Sequence, residues 1–349
     1  MGTMVCCAEM NPYNSGNSHI FQINRYFKPS SQKTSELLPD SQKETMTSTS
    51  TINTNPQEQQ KKRQTLKNKN GEYQLLSYDP LEENFFDIKI IFPIIKTIEG
   101  MSELSTNNKF FLCGISPKQK NEGSFLFQVN LDSKNIPDDQ VNAEMLINSQ
   151  YPHIYPSLIM DKNEQIICVG GKGQKQCEIY NLNANKWFTL PQLPEERHRC
   201  TLCLNGKGTH VYLFGGYNNI ENYNQIRVLR MNLIQQLIWE NLLVKNTPKN
   251  LIINRFQAGA FTFKYHYNYI FIVGGEDSKE NKLDSILRFS IQDLKFESTN
   301  TKLTKKAIFM NQSGAPINEQ AHCLIDNLNN IHLIEMHDCL PIDYHADEI

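Results

Sequence analysis

A chain of 349 residues with a formal net charge of −2 has room for one large repeat domain, and it lacks the basic field that gathers phosphate backbones. Nucleic acid is therefore not an expected partner. No stretch approaches the roughly 20 consecutive apolar residues of a spanning helix, and the first residues lack the apolar core of a secretory signal, so a cytoplasmic protein is expected. Nine cysteines, an odd number scattered along such a chain, read as reduced thiols and not as a disulfide framework.

The chain opens MGTMVCC. This resembles N-terminal dual-acylation signals, in which Gly2 would be myristoylated and Cys6 and Cys7 palmitoylated, although Cys6 stands where the usual pattern has a hydroxyl residue. Two lipids matter physically, because one myristoyl chain binds a membrane only marginally. An ordinary terminus that starts Met-Gly is the alternative. Residues 28–71 are rich in Ser, Thr, Gln, Asn and Lys and nearly free of large apolar side chains. Such a stretch cannot offset its conformational entropy by burial, so residues 1–70 are expected to be a disordered arm. Its basic run Lys61, Lys62, Arg63 and Lys67 could add attraction to anionic lipid.

From Glu72 onward short apolar runs alternate with Gly, Asn, Asp and Lys clusters, the texture of strands and turns. Three runs end in a double glycine: IICVGG (166–171), VYLFGG (211–216) and YIFIVGG (269–275). Two more, FFLCG (110–114) and IHLIEM (331–336), keep the apolar run and lose glycines. The first glycines Gly170, Gly215 and Gly274 recur at intervals of roughly 45 and roughly 59 residues, a blade-sized repeat with variable loops. Each run is followed by a second strand pair, most clearly CEIYNLNANKWFTLPQLP (177–194), with counterparts at 125–139, 226–242 and 285–298.

The pattern resembles the kelch repeat, in which a double glycine closes the second strand, a tyrosine marks the third and a tryptophan the fourth. The resemblance implies an all-β, kelch-type β-propeller over residues 71–345, with five four-stranded blades. A sixth could lie in the gap 138–157, and a β-sandwich is the plain alternative. Residues 73–90 look like the third and fourth strands of a blade and 322–336 like the first two, so closure of the ring by the two terminal segments is expected. Inner strands covered on both faces become continuous apolar runs, and Trp187 and Trp239 would fill the wedge that widens between blades.

Catalysis finds no residue-level support, and neither cofactor nor metal is expected. Cys200 and Cys203, with His198 and His210 nearby, invite a zinc reading, but a second ligand pair is missing and residues three apart on a strand point to opposite faces. Of the set His332, His337 and His345 with Asp338, Asp343 and Asp347, His332 falls in or at the end of a predicted inner strand and the rest read as a solvated polar terminus and not as a metal site. No phosphate loop or nucleophile turn occurs, and the ligand cluster of copper-oxidase propellers is not matched. Recognition should then fall on loops. Those after the double glycines carry Tyr217, Asn219, Tyr223 and Glu276, while Arg199 and Arg255 take the place near the start of the first strand where kelch repeats often carry arginine.

In related propellers such arginines help form the partner surface; each could equally make a structural hydrogen bond. The resemblance thus implies a scaffold that binds a protein partner, with peripheral membrane attachment through the arm. BTB or F-box modules, common beside such rings, lack the helical periodicity they would need here. The competing readings are a channel enzyme or metal-dependent small-molecule binder, and a structural component of a cytoskeletal complex.

Overall fold

The computed structural model describes residues 20–23, 65–67, 72–79, 84–93, 97–105, 109–117, 122–131, 140–218, 228–245, 251–263, 266–309, 314–316, 321–325 and 331–339. These residues form an all-β molecule whose strands assort into six sheets, numbered I to VI in chain order. Sheet III pairs Ser157–Met160, Gln165–Gly171, Gln174–Asn181 and Lys186–Leu190 in sequence order, each neighbour antiparallel. Sheet IV repeats this with Thr201–Leu204, His210–Phe214, Val228–Asn232 and Trp239–Leu242. Sheet V repeats it again with Gly259–Phe261, Tyr269–Val273, Leu283–Ser290 and Lys295–Ala307. Sheet II has the same plan in Thr97–Ser105, Lys109–Ile115, Phe125–Asn130 and Glu144–Met145, with Thr65–Lys67 added at the edge of its first strand. These four antiparallel sheets make a propeller-like ring, in which the first strand of each touches the first strand of the next.

The apolar runs explain this arrangement. Along Gln165–Gly171, Ile166 and Cys168 pack toward sheet II with Leu104, Phe111 and Leu126, while Ile167 and Val169 pack toward sheet IV with Leu202, Leu213 and Leu229. A strand clothed on both faces needs apolar residues at every position, not at alternate ones. The outer strands widen the wedge as the sequence led us to expect. Trp187 and Trp239 are buried, and each indole N–H donates to a carbonyl just after the outer strand of the preceding sheet, Trp187 to Ile147 at 2.7 Å and Trp239 to Pro191 at 3.1 Å.

Three expectations need correction. The terminal segments do not share a sheet. Strands Glu72–Asp79 and Asn84–Ile91 belong to sheet I, where Ile20–Ile23 takes the edge of the former and Gln140–Asn142 pairs parallel to the latter. Ala321–Ile325 and Ile331–Glu335 form sheet VI with Gly314–Pro316, and the helical turn Met336–Cys339 follows, packed on the outer strand of sheet V. The open ladder of Glu72–Asp79 is thus satisfied by an upstream strand and not by the chain's last ones. Second, the described part of the gap 138–157 holds no separate sheet; its two short strands extend sheets I and II. Third, Ile20–Ile23 and Thr65–Lys67 are strands within the expected arm, because short segments with apolar residues can add to exposed edges. The rest of residues 1–70, with Gly2, Cys6 and Cys7, lies outside the described residues.

Candidate functional site

Where the chain passes from the outer strand of one sheet to the first strand of the next, one local geometry recurs. Tyr155, Arg199 and Gln257, just ahead of sheets III, IV and V, have φ of 55°, 55° and 52°, and Gly100 in sheet II has 60°. A side chain in this left-handed region costs about 1 kcal/mol, so something must hold it there. The holding force is a chain of backbone hydrogen bonds across the sheets. Tyr155 N donates to Gly100 O at 2.7 Å, Arg199 N to Tyr155 O at 3.2 Å, Gln257 N to Arg199 O at 3.2 Å, and Phe309 N to Gln257 O at 2.8 Å. The five residues form one hydrogen-bonded run across the sheets, and Tyr155, Arg199, Gln257 and Phe309 line a common small cavity, here called the mouth.

Two residues toward the C-terminus of each, hydroxyls stitch neighbouring first strands. Ser102 donates to Pro156 O at 2.5 Å, Ser157 to Cys200 O at 2.8 Å and Thr201 to Ala258 O at 2.9 Å. Two residues toward the N-terminus, a buried basic side chain caps the first glycine of the double-glycine turn in its own sheet. His153 Nδ1 lies 2.6 Å from Gly170 O, Arg197 Nη1 donates to Gly215 O at 3.1 Å, and Arg255 Nη1 donates to Gly274 O at 2.9 Å. The second glycine then bonds onward: Gly171 N donates to Arg197 O at 2.7 Å and Gly216 N to Arg255 O at 3.2 Å. Glycine is required at Gly215, where φ is 59° and a Cβ would overlap the Arg255 carbonyl.

No protein-family model and no curated protein sequence matches this chain. Its own repeats are therefore the basis for reading the site.

They separate the two arginines that the sequence grouped together. Arg255 is not a partner-facing residue: it is buried, with Nε donating to Ile252 O, Nη1 to Gly274 O and Ser285 O, and Nη2 to the Ser285 hydroxyl. Burial pulls its pKa down to about 10, with Asp284 opposing. Its counterpart in sheet IV is Arg197, paired with Glu195 at 2.6 Å, and in sheet III it is His153, 2.9 Å from the buried Glu178. Arg199 instead belongs to the mouth. Its guanidinium lies over the Tyr155 ring at 4.6 Å, and its Nε is enclosed without a hydrogen-bond partner among the described residues. Beside it a cavity of about 20 Å³, room for one water, is lined by Met101, Ser157, Gln257 and Phe309 among others.

Tyr217 stacks on Phe256 with centroids 3.7 Å apart and on His198 at 5.6 Å. Glu276 follows Gly275 and is mostly buried, bridged by backbone hydrogen bonds to Phe256; burial raises its carboxyl, which Arg199 opposes. The structure thus brings together Arg199, Tyr217 and Glu276 and sets Arg255 apart; Asn219 and Tyr223 lie outside the described residues. Cys200 and Cys203 pack into different intersheet cores, on opposite faces of sheet IV. Sequence reasoning missed His153, Arg197, Tyr155 and Gln257. Counting from the first strand of each repeat would have found them, since basic residues stand two places before each mouth position in HIY, RHR and RFQ.

Proposed function

We propose that the chain is a kelch-type β-propeller of five or six blades that acts as a cytoplasmic protein-interaction scaffold and catalyses no reaction itself. The observation that carries this reading is the middle layer of the mouth. Backbone geometry repeats there from sheet to sheet, while the residues are Gly, Tyr, Arg and Gln. A fixed frame with varied side chains is what a recognition surface needs, because rigid scaffolding lowers the entropy lost on binding. Double glycines at positive φ that close second strands, and tryptophans on outer strands, support the kelch assignment. The cavity of about 20 Å³ beside Arg199 has room for a water and not for a small-molecule ligand.

The arm is the proposed tether, with Gly2, Cys6 and Cys7 as its lipidation sites. Affinity capture from native cells with the full chain tests the scaffold: one partner lost on Arg199→Ala and retained by the wild type is expected. Capture of identical proteins by both would contradict the placement of the site. Intact mass of the native protein tests the tether, and an unmodified N-terminus would remove it.

A further inference from the structure

The mouth around Tyr217 is divided by charge. The stack of His198, Tyr217 and Phe256 makes an aromatic floor across the boundary of sheets IV and V. On one side stands Arg199, held over Tyr155, with exposed Lys172 near His198. On the other stand Glu276 and, on the same loop, exposed Glu280. Asp277 is turned inward to its own loop, accepting hydrogen bonds from Lys279 N and Asn281 N, and Lys279 and Lys282 temper the acidic side. Both walls act on the Tyr217 phenol: burial first, then Glu276 and Glu280, push its pKa up to about 12 against the pull of Arg199.

We infer that this mouth takes a partner segment of mixed charge, with a carboxylate seated on the guanidinium of Arg199 and a neighbouring cation facing the exposed Glu280, behind which Glu276 lies buried. The inference rests on the scaffold reading above and names the partner's chemistry. A carboxylate matches the planar donor fork of arginine, and the floor offers apolar and aromatic contact to the residues between. The opposing wall supplies the selectivity. A segment that is acidic throughout meets Glu276 and Glu280, a phosphate dianion meets them more strongly, and a segment that is basic throughout meets Arg199 and Lys172.

The probe is a random peptide library displayed against the full-length protein, followed by fluorescence anisotropy of the enriched peptides on wild type, Arg199→Ala and Glu280→Lys. Enriched sequences should pair Asp or Glu with Lys or Arg within about three residues, the reach of an extended segment across the floor. Binding should weaken about ten-fold with Arg199→Ala and several-fold with Glu280→Lys, and both losses should shrink at high salt. Unchanged melting temperatures of the two variants keep the comparison interpretable. Enrichment of acidic residues alone, or binding indifferent to both variants, overturns the mixed-charge inference and leaves the scaffold reading standing. A library that yields no binder at all overturns both.

Discussion

Arg255 and Arg199 both stand just ahead of a first strand, yet the fold uses them in opposite ways. Arg255 is enclosed and satisfied by three carbonyls and a hydroxyl, so its charge serves the turn at Gly274. Arg199 is held by a ring face, and its Nε has no hydrogen-bond partner among the described residues, beside a water-sized cavity. A difference of two positions in the repeat separates a structural cation from a recognition cation. The lesson is that residue type near a motif says little until its layer is known.

Four perturbations would break or sharpen this contrast. The most severe is Gly215→Val, which places a branched side chain at φ of 59° against the Arg255 carbonyl. It should cost more than about 4 kcal/mol and leave little folded protein by circular dichroism. Native-like stability would mean the double glycine does not bind the layers together. Trp187→Ala, at the outer end of a wedge, should cost about 3 to 5 kcal/mol in urea unfolding, with a loss below about 1 kcal/mol placing the indole outside the core.

A gentler test uses pH. Burial first, then Arg199 and Lys172, depress His198 from its usual value to about 4. The unfolded chain therefore takes up a proton that the folded one refuses. The resulting stabilisation is present above the unfolded value near 6.5 and fades as pH falls toward 4, by up to about 2 kcal/mol. His322, buried and depressed to about 3, acts with the same sign. His198→Gln should flatten part of this acid loss in urea titrations between pH 7 and 4, and an unchanged slope would show that His198 is not responsible. The smallest effect is expected from Glu280→Lys, an exposed loop change that should alter stability by less than about 0.5 kcal/mol.

Much of the ring was legible because its causes are local. Recurring double glycines, apolar runs without alternation and outer tryptophans each follow from strands stacked face to face. Which strand completes sheet I was not legible. It depends on which short segment finds the open edge of Glu72–Asp79, and nothing in Ile20–Ile23 announces a long-range partner. Arg199, Tyr217 and Glu276 lie together, while the sequence left open whether Arg255 faces a partner or makes structural hydrogen bonds, because its neighbours, Gly274 O and Ser285, are more than a dozen residues away. The partners of a buried guanidinium are a property of packing, which sequence spacing does not report.

The central claim, that adjacent layers at the start of each first strand divide stability from recognition, is tested most directly by urea unfolding of Arg255→Ala and Arg199→Ala side by side. Removal of Arg255 takes the guanidinium donor from the Gly274 carbonyl, leaves Ser285 O with the Gly274 N–H alone, and should lower stability by about 3 kcal/mol. Loss of Arg199 removes a stack on Tyr155 and should change stability by no more than about 1 kcal/mol. Equal losses, or a larger loss for Arg199, would contradict the account.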